Sequence, residues 1–439
     1  MKKIILSFLA VCSVWTAAEA QRVTTLKECL QKGLEKNYAL RIVRNEEQVS
    51  RNNATLGNAG YLPTVGLSAG YNGVYDNTET TARGTGTNTT ERNVLDHTFN
   101  AGANVNWTVF DGFKIQATYD RLKELKRQGE TNTRIAVEDF IANMTSEYYN
   151  FVQQKIRLKN LNYAVSLSKE RLRIVAERFV IGSSSRLDLK QASVDFNADS
   201  AQCLKQKELL NTSRIRLNEL MAEEEVNSLL EIHDSLIDVS DELQFNELWN
   251  ATLEANASLI KAEQNKTIAA LDLKAVKSRD FPYLKLNTGY GYTHNRYGVG
   301  SSKQRDNWGL NFGLTVGFNL FDGNRRREMR NARLAIENAD LERQDLLQSL
   351  RADFNDLWQA YQNNLRLLKL ERNNLVTARE NHDIAHERYL LGDLSGIEMR
   401  EAQKSLLDAE ERILSAEYNT KVCEISLLQI SGKVTRYLQ

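Results

Sequence analysis

The tripeptide Phe-Asp-Gly occurs twice in this chain, at Phe110-Asp111-Gly112 and Phe321-Asp322-Gly323. Each copy closes a run of alternating polar and apolar residues and opens a long stretch free of proline. Other markers recur around it in the same order. Leu34-Glu35-Lys36-Asn37 matches Leu253-Glu254-Ala255-Asn256, and the chain's 2 prolines follow in Leu62-Pro63 and Phe281-Pro282. Beyond the tripeptide, Arg178-Phe179-Val180-Ile181-Gly182 matches Arg388-Tyr389-Leu390-Leu391-Gly392. A collinear series of this kind marks an internal duplication, which constrains the fold before any residue-level reading. The repeated unit is a strand pair followed by a very long helix.

The N-terminus reads as an export signal over residues 1–20: Met1-Lys2-Lys3, an apolar stretch from Ile4 to Trp15, then Ala18-Glu19-Ala20. Cleavage is expected after Ala20. Cys12 sits in Leu9-Ala10-Val11-Cys12, a poor match to a lipoprotein box because Val precedes the Cys. Past the signal no run is long enough for a transmembrane helix, so membrane insertion would require β-strands. Cys29, Cys203 and Cys423 remain, an odd number that argues against a disulfide framework. Lys plus Arg and Asp plus Glu are both 57, and there is no electrostatic reason to expect nucleic-acid binding.

Four segments alternate with period two, a signal of half-buried strands. They are expected at about 64–76, 98–110, 283–294 and 307–321, separated by polar loops over 77–96 and 295–306. In the last, Trp308, Leu310, Phe312, Leu314, Val316, Phe318 and Leu320 oppose Gly309, Asn311, Gly313, Thr315, Gly317 and Asn319. The polar face is Gly, Asn, Ser and Thr rather than Lys and Glu. A soluble sandwich usually carries charges there, whereas a barrel with lipid outside and a narrow lumen gives this pattern. Each run is close to the roughly 9–11 residues of a tilted membrane strand. Four strands cannot close a barrel, for which about eight is the practical minimum, so the chain is expected to oligomerise.

The segments from Phe113 and from Asn324 carry apolar residues at helical spacing, such as Phe140, Met144, Tyr148, Phe151 and, in the second copy, Phe354, Leu357, Trp358 and Tyr361. A helix from Phe113 to Arg178 would be roughly 100 Å long. Gly182 and Gly392 suit the left-handed cap that stops such a helix, and Ser183-Ser184-Ser185 and Ser395 offer N-caps for the next. The sequence is therefore read as a first repeat over 21–232, with a helical hairpin over 113–232, and a second over 233–439, with a hairpin over 324–432. Shorter helices, Leu26 to Gly60 and Leu243 to Asp280, lead into the strands.

Taken together, the signal, the two strand-pair and hairpin repeats, Leu-Pro before the strands, Phe-Asp-Gly after them and the Arg-aromatic-x-x-Gly tips resemble the TolC family of outer-membrane efflux channels. The resemblance covers essentially the whole mature chain. It implies a mixed α and β membrane protein, a homotrimer whose strands form one twelve-stranded barrel in outer-membrane lipid, continued by a periplasmic α-helical barrel. It implies a passive exit channel of a tripartite efflux or type I secretion system, with no enzymatic activity and no cofactor. The partners would be a periplasmic adaptor and an inner-membrane pump of RND, ABC or MFS type. Glu398 and Glu401 match an acidic pair that lines the family's entrance, and Asp188 and Tyr389 match a closing contact. An arginine that helps lock the family's entrance has no match, because Leu394 stands there. Gly182, Ser183, Gly392 and Asp393 would contact the adaptor. Asp111, Gly112, Asp322 and Gly323 would form the barrel-to-helix hinges. The alternatives are a non-conducting periplasm-spanning scaffold or adhesin anchored by a barrel, and a soluble exported enzyme.

Other motifs carry less. His382 and His386 are spaced i, i+4, with no third ligand evident, and are read as lying on a wet helix face. Gly289-Tyr290-Gly291 does not lead into a helix as a phosphate loop requires. Arg325-Arg326-Arg327 is expected at the inner headgroup level, snorkelling to phosphates.

Overall fold

A computed structural model describes residues 24–81, 84 and 88–438. The signal segment and Cys12 lie outside them. The order is α1 (Leu26–Lys36), α2 (Tyr38–Asn53), α3 (Leu56–Ala59), β1 (Thr64–Thr81), β2 (Asn88–Asp111), α4 (Lys114–Val180), α5 (Arg186–Leu220), α6 (Phe245–Ala255), α7 (Ala257–Lys277), β3 (Tyr283–Arg296), β4 (Gln304–Gly317), α8 (Gly323–Leu391) and α9 (Gly396–Ile430). The described chain falls into two compact bodies, one of residues 24–45, 131–260 and 345–438, the other of 46–130 and 261–344. Each body draws on both sequence repeats.

The second body holds one antiparallel sheet in the order β1-β2-β3-β4. The strands are longer than expected on one side. Thr78, Thr80 and Thr81 pair with Glu91, Thr89 and Asn88 beyond a bulge at Asn77, so most of the expected 77–96 loop is hairpin. β-Branched threonines favour the pleated backbone, and Asn77 Oδ1 steadies the bulge by accepting from the Asn93 N–H at 2.6 Å. The second loop likewise shrinks to 297–303. β4 ends at Gly317, not at 321. Its outer edge has no partner strand among the described residues, whereas β2 is paired as far as Asp111 by β3.

The sheet's two faces differ as the alternation requires. Val65, Leu67, Tyr71, Trp308, Leu310, Phe312, Leu314 and Val316 are all exposed, Leu67 at 87% and Phe312 at 83%. On the other face a Cβ at Gly289 would meet the side-chain oxygens of Asn104 and Asn311 at 2.6 and 2.7 Å. Glycine there leaves room for asparagines from both neighbouring strands. No helix among the described residues is long and apolar enough to cross a membrane.

The Phe-Asp-Gly copies end β2 and open α8. At the first, Gly112 (φ +70°) and Phe113 (φ +73°) are both left-handed, and a Cβ on Gly112 would overlap the Ser278 carbonyl oxygen. Asp111 Oδ1 accepts from the Ile115 N–H at 3.0 Å, while Phe113 packs edge-on against Phe110 and Phe281. At the second copy Asp322 Oδ1 accepts from the Asn324 N–H at 3.0 Å. Phe321 is 87% exposed there. Of the arginine run, Arg325 is held by Asp280 at 2.9 Å, and Arg326 and Arg327 are exposed.

The first body has its core where α1, α4, α5 and α9 meet, around Cys29, Leu30, Phe140, Ile141, Met144, Tyr148, Val152, Leu217, Leu414 and Ile425. A second cluster joins Leu248, Phe354, Tyr361, Leu427 and Leu428 of α6, α8 and α9. Two expectations fail here. Residues 26–60 and 243–280 are broken helices, interrupted at Asn37 and Asn256. Asn37 Oδ1 caps α2 through the Leu40 N–H, and its Nδ2 donates to the Leu220 carbonyl that ends α5. Asn256 does the same with Leu259 and Ile430. The first hairpin's helix stops at Leu220 rather than near 232. The following segment returns to Thr24, just ahead of α1, and the Thr24 N–H donates to the Glu231 carbonyl at 2.7 Å.

Candidate functional site

The two hairpin tips share one construction. α4 ends in Gly182 (φ +78°) and α8 in Gly392 (φ +86°), a backbone state that costs a side-chain-bearing residue energy. Ser183 N–H donates to the Arg178 carbonyl at 2.8 Å and Asp393 N–H to the Arg388 carbonyl at 3.0 Å. These close the same Schellman-type stop. The next helix starts on a capping box each time. Ser185 Oγ accepts from the Asp188 N–H and Asp188 accepts from the Ser185 N–H, as do Ser395 and Glu398. Hydrogen bonds from these serines hold both carboxyls below the usual carboxylate range.

The sequence-predicted residues are thereby located. Glu398 and Glu401 are exposed near the start of α9, Glu398 also serving as its cap. Gly182, Ser183, Gly392 and Asp393 form the exposed turns. Asp188 and Tyr389 line one cavity of about 250 Å³, but no hydrogen bond joins them. The Asp188 carboxylate is occupied by Ser184 Oγ and by the N–H and Oγ of Ser185. Tyr389 is 3% exposed and its hydroxyl has no hydrogen-bond partner among the described residues. Burial pushes the Tyr389 phenol up.

Three arginines organise this site: Arg178, which opens the tip motif, and Arg171 and Arg400, which the sequence did not single out. Arg178 Nη2 donates to the Tyr389 carbonyl at 3.1 Å, and its guanidinium lies 5.1 Å from the centre of the Tyr389 ring. Arg171 pairs with Asp195. Arg400 of α9 grips Asp199 of α5 with two bonds of 2.7 Å. Leu394 packs against a cluster of Ala385, Tyr389, Met399 and Ala402. Apolar residues flank both turns in the open: Val180, Ile181, Leu187, Leu391 and Ile397. Their signal in the sequence is that they fall off the buried helical stripe.

The histidine reading needs correction. His382 is buried at 3% exposure rather than on a wet face, because it falls at steps of three and four in the stripe of Ala378, Ala385 and Tyr389 that packs on α9. Its ring stacks on His386, centroids 6.1 Å apart. No group of three or more His, Cys, Asp or Glu among the described residues is placed to hold a metal ion.

Comparison with known proteins places this geometry. Outer membrane protein TolC of Vibrio cholerae is 20% identical over 442 residues, covering 99% of this chain and 96% of that one. The CmeC outer membrane channel of Campylobacter jejuni superposes with a TM-score of 0.77 at 18% identity, over 93% of this chain and 85% of that one. VceC, an outer membrane protein of Vibrio cholerae, gives 0.74 at 15% identity, over 93% and 96%. These structures share the fold. The model of the outer membrane efflux protein family matches in two stretches, residues 29–223 and 248–433, which include both hairpins and both tips. The chain therefore belongs to the outer membrane efflux protein family.

Proposed function

We propose that three copies of the chain form a passive exit duct, a twelve-stranded barrel in the outer membrane continued by a helical tunnel. Substrate reaches it from an inner-membrane pump of RND, ABC or MFS type through a periplasmic adaptor. One observation carries this reading. The sheet has four strands, two free edges and a broad apolar face in the open, too few strands to close on itself and the wrong surface for water. Three sheets joined edge to edge leave no free edge and turn the apolar faces to lipid. The adaptor would dock on the tips, where Ile181, Leu187, Leu391 and Ile397 surround Gly182, Ser183, Gly392 and Asp393. Rings of Glu398 and Glu401 would constrict the pore and draw cations, and Asp188 and Tyr389 would belong to the gate.

The test is reconstitution of purified protein in planar bilayers, with its mass determined after chemical crosslinking. Discrete conductance steps from a trimer are expected. A trimer without channel events would instead favour the non-conducting scaffold.

A further inference from the structure

The cavity between the tips contains hydrogen-bond donors that nothing among the described residues satisfies. Arg171 lines it and is 6% exposed, yet its Nε and Nη1 have no partner. Tyr389 lines it at 3% exposure, and its hydroxyl is also unpartnered. Arg178 lies in the same wall, donates to the Tyr389 carbonyl, and pairs with no carboxylate among the described residues. A guanidinium can only donate, so these groups call for an acceptor. Leaving several buried donors empty is costly.

We propose that this cavity is an oxyanion site, taking a carboxylate or a phosphate on Arg171, Arg178 and Tyr389. The acidic residues of the wall do not fill that role. Asp195 is held by Arg171 Nη2. The Asp188 carboxylate faces its own helix start, where Ser184 and Ser185 occupy it. Ser183 and Ser184 from the first tip and Ser395 and Gly396 from the second complete the rim. Arg171 and Arg178 belong to α4 and Tyr389 to α8, so a bound oxyanion bridges the two hairpins. Planar guanidinium groups favour a two-oxygen acceptor. The acceptor has two sources, a free oxyanion or a glutamate or aspartate side chain of a docked protein. The second source rests on the exit-duct reading; the site itself does not.

The experiment is equilibrium dialysis of the full-length protein in detergent with radiolabelled inorganic phosphate at fixed ionic strength. One saturable site per chain is expected. Tyr389→Phe and Arg178→Gln should each weaken it about tenfold or more, the loss expected for a hydrogen bond to a charged group. Lys190→Gln, which removes an exposed charge elsewhere on α5, should leave it unchanged. Displacement by N-acetylglutamate α-amide but not by the glutamine analogue identifies a side-chain carboxylate as an occupant. Phosphate binding without that displacement identifies a free oxyanion. Absence of a saturable site, or equal binding by all three variants and wild type, overturns the proposal. Bilayer conductance is a separate measurement, so failure here leaves the duct reading standing.

Discussion

Arg400 and Asp199 are joined by two hydrogen bonds of 2.7 Å, one to each carboxylate oxygen. The pair ties the second helix of one hairpin to the second helix of the other. Asp199 is buried while Arg400 keeps partial access to water, so removing the arginine strands a buried charge.

Arg400→Ala should therefore loosen the hairpins near the tips. Breaking a buried pair costs about 3–5 kcal/mol, which is about two orders of magnitude or more in the equilibrium between tied and separated hairpins. Single-channel recording should show higher conductance or longer openings than in the unsubstituted protein. Unchanged gating would mean that the entrance is held by other contacts.

On the exit-duct reading Glu398 would have two duties, and substitutions would separate them. Its carboxylate caps α9 through the Ser395 N–H at 3.0 Å, and it is exposed at the start of that helix. Glu398→Gln with Glu401→Gln removes charge yet leaves an acceptor for the cap. Cation selectivity and block by multivalent cations should weaken while heat stability barely changes. Glu398→Ala should additionally fray the start of α9, because the cap contact is lost.

The same hydrogen bonds set a pH dependence. The folded-state carboxyl of Glu398 lies below its ordinary value because the Ser395 N–H and hydroxyl stabilise the charged form. The capping contribution is then complete above the unfolded value of about 4.3 and is lost as pH falls through the lower folded value. Selectivity carried by Glu398 should persist below about pH 4.3, where an unperturbed glutamate would already be half protonated. Reversal potentials measured across a pH series check this, and loss of selectivity centred above that pH would contradict it.

Deeper in the same body, Lys421 and Glu424 form a buried pair at 3.0 Å. Ser240 N–H and Tyr437 hydroxyl complete the carboxylate, and the ammonium lies about 5 Å from the Tyr149 and Tyr437 ring centres. Glu424→Ala leaves a buried lysine without its counter-charge and should cost about 3–5 kcal/mol. Lys421→Met with Glu424→Leu should recover most of it. Thermal unfolding followed by circular dichroism distinguishes the two variants.

The long helices and their tips were legible because period, glycine and serine are local signals. Gly182 and Ser185 stop and restart the chain within a few residues, and Gly392 and Ser395 repeat the move. The breaks at Asn37 and Asn256 were not legible, although both asparagines were already visible as repeat markers. Each is explained only by a carbonyl far along the chain, at Leu220 and Ile430. At the tips, the glutamates and Tyr389 could be found by motif. So could Arg178, the first residue of the tip motif, whereas Arg171 and Arg400 could not, because charged residues on a long helix look alike until a partner on another helix selects them. His382 shows the converse, a polar residue buried because it falls on the stripe of Ala378, Ala385 and Tyr389.

The duplication also fixes how two copies should meet. Matching Phe110 to Phe321 carries β2 onto β4, and matching Pro282 to Pro63 carries β3 onto β1. Within one chain Val105 pairs with Thr288 and Ala103 with Tyr290. Transferred between copies, Val316 should face Ala69 and Leu314 should face Tyr71 of the neighbouring chain. This register keeps apolar residues opposite apolar residues, and it brings Phe321 against Val65, beside Leu62, as Phe110 meets Leu284 within the chain. β1 and β4 are the outer strands of the sheet, separated by about 14 Å at the usual strand spacing, beyond disulfide reach. Oxidation of a protein carrying Ala69→Cys and Val316→Cys can therefore link only different copies. Cys29, Cys203 and Cys423 are buried and should stay silent. A ladder ending at a crosslinked trimer is expected on denaturing gels. Stronger linkage when Val316→Cys is combined with Leu67→Cys or Tyr71→Cys would show that the copies join in a different register.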